Sequence, residues 1–365
     1  MTIKCARSLR CGQVADHRSD NSKKRPEAAG APLCGTVAVK AEHAPFWIIV
    51  GMTLHRIEPT RDNSVNTFSA AHAPVVTVDS GDTIVVRSLD AAGYLERHAF
   101  PGDTGKPVMF PGDFRGHCVN RPVAVRGAAA GDMLAVRIVS LTPEPWGWTV
   151  STAVPDSPVA RRLGLAGPDP AWLLWDIDRE AGTATANGRY TRPIAPFLGV
   201  TGVAPSGPGE HSTIPPRAAA GGNIDCKELV AGSVLYLPVA VDGALLYLGD
   251  GHAAQGDGES CGTAIETGIT TEAVVSLAAG RPLATVHAET PAGLVTFGFS
   301  ADLNEAMGDA LDAMVSWIAS LFGTSRAEAL ALASTCADLR VTQVANITWG
   351  VHALLPSGLL SWRPA

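Results

Sequence analysis

Residues 247–266, reading YLGDGHAAQGDGESCGTAIE, set the hardest condition that this chain's fold has to meet. They lodge Asp250, Asp257, Glu259 and Glu266 between apolar runs, with His252, Gln255 and Cys261 among them. Upstream, residues 233–241 read as a buried strand, and residues 245–248 begin the next strand, which runs into the polar part. Continued extension repeats side chains every second residue and so places Asp250 and His252 on one face. Gly249 and Gly251 leave the opposite face bare, where another backbone or a ligand can come close. Four carboxylates within seventeen residues are costly to bury as bare charges. A bound metal ion, or protons held at raised pKa, would resolve that conflict.

The remainder of the chain has the means to build walls around such a stretch. Of 365 residues, 46% are hydrophobic and 17% charged, enough for a large core. The 38 glycines and 26 prolines point to many turns and a strand-rich chain. A net charge of −7, with no basic block in the body, argues against nucleic acid and anionic membrane as partners. No apolar run reaches the ~18 residues of a membrane span. The 7 cysteines are scattered, odd in number and without CxxC spacing, which argues against a disulfide framework and for a reducing, cytoplasmic setting.

Residues 1–51 lack apolar periodicity and read as a disordered tail or an overlong start, leaving residues 52–365 as the folded domain. From Pro74 the strands begin. Residues 75–87 read as strand, Ser80-Gly81-Asp82 turn and strand, and residues 122–138 repeat the unit around Gly131-Asp132, a weak internal duplication or simply two hairpins. Residues 143–185, with Trp146, Trp148, Trp172 and Trp175, read as a looser region, and residues 196–205 as irregular. Gly221-Gly222-Asn223 is strong turn chemistry, with Asp225 close behind. Asp302 with Glu305, and Ser325 with Glu328, have capping-box spacing. Behind the first, Leu303, Met307, Leu311, Met314, Val315 and Ile318 recur at helical spacing as core positions. The fold class expected is mostly β with some α: twisted antiparallel strand pairs, barrel- or sandwich-like, plus two helices between about residues 302 and 338, and a closing strand over residues 340–346.

The stretch that opens this section also resembles the signature of the acetamidase/formamidase family. That signature is a Gly-Asp-x-His-x-x-Gln-Gly-Asp-Gly-Glu core followed by Cys-Gly and Ala-Ile-Glu, and every position is filled here. Similar blocks occur at residues 122–136, Trp146-Gly-Trp148, Phe197-Leu-Gly199, Gly221-Gly222-Asn223-x-Asp225-x-Lys227 and residues 338–352, so the resemblance covers residues 74–356. Asp90-Ala91-x-Gly93 matches an early segment, with Tyr94 where a polar residue is common. Arg121 replaces a usual glycine, and the segment between Tyr94 and His117 is shorter than the family pattern, a departure that bears on substrate selectivity. The resemblance implies a mostly β fold, a metal association, and hydrolysis of formamide- or acetamide-type amides to acid and ammonia.

His252 is the leading metal-ligand candidate, with Asp250 on its strand face; imidazole with carboxylates suits zinc or a similar divalent ion. Asp225, His117 and Asp90 are the candidates from other segments, His117 because the family places a histidine there. The plain alternatives are, for His252, a loop histidine bonded to its acidic neighbours, for Asp225 a turn aspartate, and for Asp90 a solvated strand end. Glu259 and Glu266 compete as general base toward an attacking water. Gln255 and Asp257 are candidates for substrate contact, Asp257 being equally suited to a turn. Cys261 is the nucleophile of a rival, metal-free mechanism with His252 as its base. A third reading is a catalytically silent metabolite-binding β protein. The expected partners are a small amide and, in a homo-oligomer, copies of the same chain.

Overall fold

The computed structural model describes residues 53–151, 157–167, 170–280 and 282–360; the tail expected over residues 1–51 lies outside them. A nine-stranded sheet runs, in spatial order, Leu54–Ile57, Thr83–Ser88, Ile269–Leu277, Met133–Pro143, Val234–Pro238, His287–Thr290, Gly293–Ser300, Trp349–Pro356 and Asp338–Gln343. Every neighbouring pair in it is antiparallel except the first. A seven-stranded sheet carries Gly221–Asn223, Phe197–Val203, Leu246–His252, Val119–Asn120 and Ser64–Val65, with Val123–Val125 and Val76–Val78 alongside. Neither sheet closes into a barrel.

The two sheets share one buried cluster. Val86, Val136, Leu235 and Val275 enter it from the larger sheet, and Val123, Leu198, Leu246 and Leu248 from the smaller. Ile269–Leu277 alternates buried and half-buried residues along most of its length, the two-residue period of a strand with one face on the core. Phe197–Val203 and Leu246–His252 are buried at every position. The second face of these strands is covered by a further cluster containing Phe68, Val119, Val200 and Tyr247.

The two Gly-Asp units are corners between the sheets, not hairpins. Val76–Val78 and Val123–Val125 pair with each other, in parallel, in the smaller sheet. Their continuations, Thr83–Ser88 and Met133–Pro143, flank Ile269–Leu277 in the larger one. The corners are built alike. Asp82 N–H donates to Asp79 O (3.0 Å) and Asp132 N–H to Ala129 O (3.0 Å). Each carboxylate also accepts from the backbone N–H three residues back, from Asp79 at 3.0 Å and Ala129 at 2.9 Å. Gly81 and Gly131 take φ of 103° and 99°, which residues with a Cβ rarely adopt.

Two expectations about irregular segments are overturned. The tryptophan-rich region forms a four-stranded sheet of Tyr190–Pro193, Thr183–Ala186, Trp172–Asp178 and Trp146–Val150, and the Gly/Pro-punctuated residues 196–205 contain the buried strand Phe197–Val203. Gly221–Asn223, expected as a turn, pairs with Val200–Gly202 despite positive φ at both glycines. A short helix α1 (Pro158–Leu163) precedes the two expected ones, α2 (Leu303–Phe322) and α3 (Arg326–Cys336). The latter pair packs Ala310, Met314, Ile318, Ala329 and Ala333 on Val351, Ala353 and Leu355 of the larger sheet. Asp302 caps α2 through Asn304 N–H at 2.7 Å and Ser325 caps α3 through Glu328 N–H at 3.2 Å. Glu328 then turns to the Thr324 hydroxyl, so the box is only half made. Met307, expected in the core, is 37% exposed, because it falls on the side of α2 away from the sheet. No described helix is long and apolar enough to cross a membrane.

Candidate active site

The site forms where three neighbouring strands of the smaller sheet meet the turn that follows them. Leu246–His252 pairs antiparallel with Phe197–Val203, and the registers Leu198↔Gly251 and Val200↔Gly249 set Gly199 opposite Asp250. A Cβ at Gly199 would lie 2.5 Å from Asp250 Oδ2, 2.6 Å from Asp225 Oδ1 and 2.9 Å from the His252 ring. The glycine is therefore the space in which three functional side chains converge. Its carbonyl accepts from both Ile224 N–H (2.9 Å) and Asp225 N–H (3.3 Å), which fixes Asp225 beside it. Gly249 and Gly251 serve the other side. Cβ atoms there would meet Cys118 O and Thr267 O at 2.5 Å, so neighbouring backbones lie directly against the strand.

Glu259 arrives on the turn after the strand. Gly258 N–H donates to Thr342 O (3.0 Å) and Val344 N–H to Gly258 O (2.8 Å), so the end of Asp338–Gln343 holds this turn. Glu266 is bridged through its backbone to Trp148, with N–H···O distances of 2.8 and 3.0 Å, and it also pairs with His252. Asp225, Asp250 and Glu259 all have left-handed φ, of 54°, 56° and 41°. Such backbone costs roughly 1–3 kcal/mol per residue and persists where the surroundings over-determine it, commonly at functional sites.

The result is a buried cluster of four carboxyl groups and two imidazoles. His252 Nε2 lies 3.3 Å from Asp250 Oδ1, 3.2 Å from Glu266 Oε1 and 4.0 Å from Glu259 Oε1. His117 Nδ1 lies 3.1 Å from Asp250 Oδ2, at ion-pair distance but off a hydrogen-bonding line. Two sets of potential ligand atoms converge within 4.8 Å, one from Asp225, Asp250 and His252, the other from His252, Glu259 and Glu266. Burial, reinforced by the Asp250 charge, pushes Asp225 up to about 8. Burial and then Asp225 raise Glu259 well above the ordinary carboxylate range. Burial raises Glu266 as well, against the pull of His252. Burial acts on Asp250 too, but His117 and His252 outweigh it and hold that carboxylate well below its usual range. Against burial, Asp250 lifts His117 to about 9, and Glu266 together with Asp250 lifts His252 well above an ordinary imidazole.

This donor set fits a divalent cation. With both rings protonated, four carboxylates would still leave two negative charges uncompensated. Both oxygens of Asp225, Oδ1 of Asp250, Nδ1 of His252 and Oε2 of Glu266 are buried and have no hydrogen-bond partner among the described residues. Orphaned polar atoms of this kind call for a bound ion or an ordered water, and carboxylates with imidazole are the ligand types of zinc.

Not every candidate belongs to these two ligand sets. His117 reaches Asp250 but stands outside both convergent sets. Asp90 is outside as well: its two oxygens accept from Tyr94 N–H (3.0 Å) and the Trp148 indole N–H (2.9 Å), and burial lifts it to about 6. Its position makes it a prop for Trp148. Gln255 donates to Asp225 O at 2.7 Å, and Asp257 pairs with Lys227 Nζ at 2.7 Å; neither lines the cavity above the cluster. Cys261 donates its thiol proton toward Thr263 O at 3.3 Å and is half-buried. That cavity, of about 190 Å³, is bounded by His117, Asp250, Glu259 and Glu266 on its polar side, with Asn223, Trp148 and Phe114 among its other walls. Sequence reasoning missed the roles of Gly199, Asn223 and Trp148. Each lies in a block that matched the family pattern, which was the available signal.

Fold and site together define a β protein built around two packed sheets, with a buried carboxylate–histidine centre opening on a small cavity. A sequence model of the Acetamidase/Formamidase family matches residues 54–212 and 207–359, and the chain belongs to that family. An acetamidase from Mycolicibacterium smegmatis is 30% identical over 209 residues, covering 42% of this chain and 51% of that protein. The chain spans about half the length of the curated relatives it matches. The crystal structure of an acetamidase from Bacillus halodurans superposes with a TM-score of 0.72 at 27% identity, over 82% of this chain and 97% of the other. An acetamidase structure from Yersinia enterocolitica gives a TM-score of 0.73 at 26% identity, over 86% and 94%.

Proposed function

We propose that this protein hydrolyses the C–N bond of a linear carboxylic amide, of the short-chain formamide or acetamide type, to carboxylate and ammonia. The observation that carries the reading is the set of buried, unpartnered carboxylate oxygens converging with His252 beneath a small cavity, in a chain of this family. Asp225, Asp250 and His252 would hold a divalent cation, with zinc the best match to the donors. When bound, that ion supplies Lewis-acid polarisation of the carbonyl and a lowered pKa for the attacking water.

The protein groups do the rest. Glu259 faces the cavity, and its carboxyl accepts no hydrogen bond from the described residues, so it is free to take a proton from water and return it to the leaving nitrogen. Glu266 is the alternative base, but Ala264 N–H (2.8 Å) and His252 already engage one of its oxygens. The water oxygen bonds to the carbonyl carbon, the C–N bond breaks, and nitrogen departs as ammonia with the transferred proton. His117, paired with Asp250, orients that carboxylate and borders the substrate space. Among the described residues no imidazole lies within hydrogen-bonding reach of Cys261, the arrangement a thiol nucleophile needs, which favours water as the nucleophile. Cys118, Cys226, Cys261 and Cys336 are all free thiols, in keeping with a reducing cytoplasm. Assembly as a homo-oligomer belongs to the same reading.

Ammonia release from a panel of short amides tests this function. Activity is expected from the wild type, and retention of most of it by Cys261→Ala. His252→Ala should lose metal and activity together, whereas Glu259→Gln should keep metal and lose rate, by roughly a hundredfold or more. A thousandfold fall in Cys261→Ala, about the scale seen when an essential nucleophile is removed, would favour the thiol mechanism instead.

A further inference from the structure

The cavity is large for the smallest amides. Its volume is about 190 Å³, against about 150 Å³ for an apolar protein cavity that takes up benzene. Formamide and acetamide present only a hydrogen or a methyl group beside the amide, and either would leave most of this space empty. Outside the acid cluster the walls are mostly apolar: Ala91, Ala92, Phe114, Trp148, Ile214 and Ala345 border the space, with Asn223, Thr263 and Asn346 as the polar members. Phe114 is 66% exposed, an unusual state for a large apolar ring. It sits at the site all the same, with its ring 6.4 Å from that of His117. The Trp148 wall is stiff, because its indole is hydrogen-bonded to Asp90 at 2.9 Å and packs on Trp172 and Tyr94. A polar floor under a rigid, apolar, half-open chamber suits a molecule with an amide at one end and a hydrocarbon body at the other.

We propose that the preferred substrate is a primary amide with a bulky apolar acyl group, a branched aliphatic chain or an aromatic ring, seated between Trp148 and Phe114. This rests on the amide-hydrolysis reading and replaces its short acyl group with a bulkier one. The acyl body covers Phe114, removes apolar surface from water on both partners, and carries the amide down to Glu259.

The test is kcat/KM for ammonia release along the series formamide, acetamide, propionamide, isobutyramide and benzamide. The value should climb about fourfold for each methylene buried, with the last two members the best. Phe114→Ala, which removes a wall, and Ala92→Leu, which fills the chamber, should each lower the benzamide-to-acetamide ratio about tenfold. Partial unfolding would depress both substrates alike and leave that ratio in place. A series that peaks at formamide or acetamide, or ratios unmoved in both variants, overturns the proposal and leaves amide hydrolysis standing. No ammonia from any member overturns the hydrolytic reading and this proposal with it.

Discussion

At residue 199 the site depends on an absent methyl group. Gly199→Ala would place a Cβ 2.5 and 2.6 Å from oxygens of Asp250 and Asp225, and both of those side chains are buried. They must give way or the strands must part. The substitution should therefore cost about 1–3 kcal/mol of stability and disperse the convergent oxygens, read as loss of bound metal by elemental analysis of protein that remains folded by circular dichroism. Full metal retention would show that the oxygens do not need that space. Asp90 makes a different prediction. As the acceptor for Trp148 and Tyr94, it acts through the cavity wall and not through the reacting atoms. Asp90→Ala should raise KM about fivefold or more while kcat stays within about threefold, the signature of lost binding common to ground and transition state; a collapse of kcat alone would place it in the chemistry. The acids and His252 were legible because a dense run of carboxylates in an apolar setting demands compensation. Gly199 and Trp148 were not, because their roles exist only across strands distant in sequence.

At the scale of elements, the repeated Gly-Asp corners decide how the chain passes between sheets. Asp82 is buried and accepts from Thr53 N–H (2.9 Å), Asp79 N–H (3.0 Å) and His55 (2.9 Å). Asp132 is only half-buried, and its side chain accepts from Ala129 N–H alone among the described residues. Asp82→Ala should destabilise by about 3 kcal/mol and Asp132→Ala by about 1 kcal/mol, since hydrogen bonds to charged groups in closed settings are worth the most. Urea denaturation of both variants measures the difference, and equal losses would contradict it. The corners were visible in the sequence as turn chemistry between apolar runs, but such a pattern does not say whether the second strand returns beside the first or crosses to another sheet. Only the partners, Ile269–Leu277 and Leu246–His252, settle that. Phe197–Val203 escaped recognition for a related reason. Its glycines and flanking prolines look like loop, yet tertiary packing wants those glycines inside a strand, with Gly199 making room for the acids and Gly202 lying against Gly222. The α2 and α3 caps and spacing were legible because helices announce themselves locally.

For the whole molecule, the site is a store of unfavourable charge that a cation relieves, and this links stability to pH. Asp225, lifted to about 8 from 3.8, keeps in the fold a proton that the unfolded chain releases, so its contribution is full below about 4 and is lost as pH climbs to about 8. Glu259 and Glu266, also raised, act in the same sense. His117, lifted from 6.5 to about 9, stabilises fully below 6.5 and ceases to do so as pH passes about 9. The metal-free protein should accordingly lose about 5 °C or more of Tm between pH 6.5 and 9, and a saturating divalent ion should flatten or reverse that slope, since a ligand bound only by the folded state stabilises it. A flat profile without metal would deny that these groups are strained. The most direct test of the central claim is ammonia release from a short amide by the full chain, assayed as purified, after exhaustive chelation, and after zinc is restored. Activity should disappear with the metal and return with about one zinc per chain; unchanged activity in chelator, from protein holding no metal, would rule the metal mechanism out.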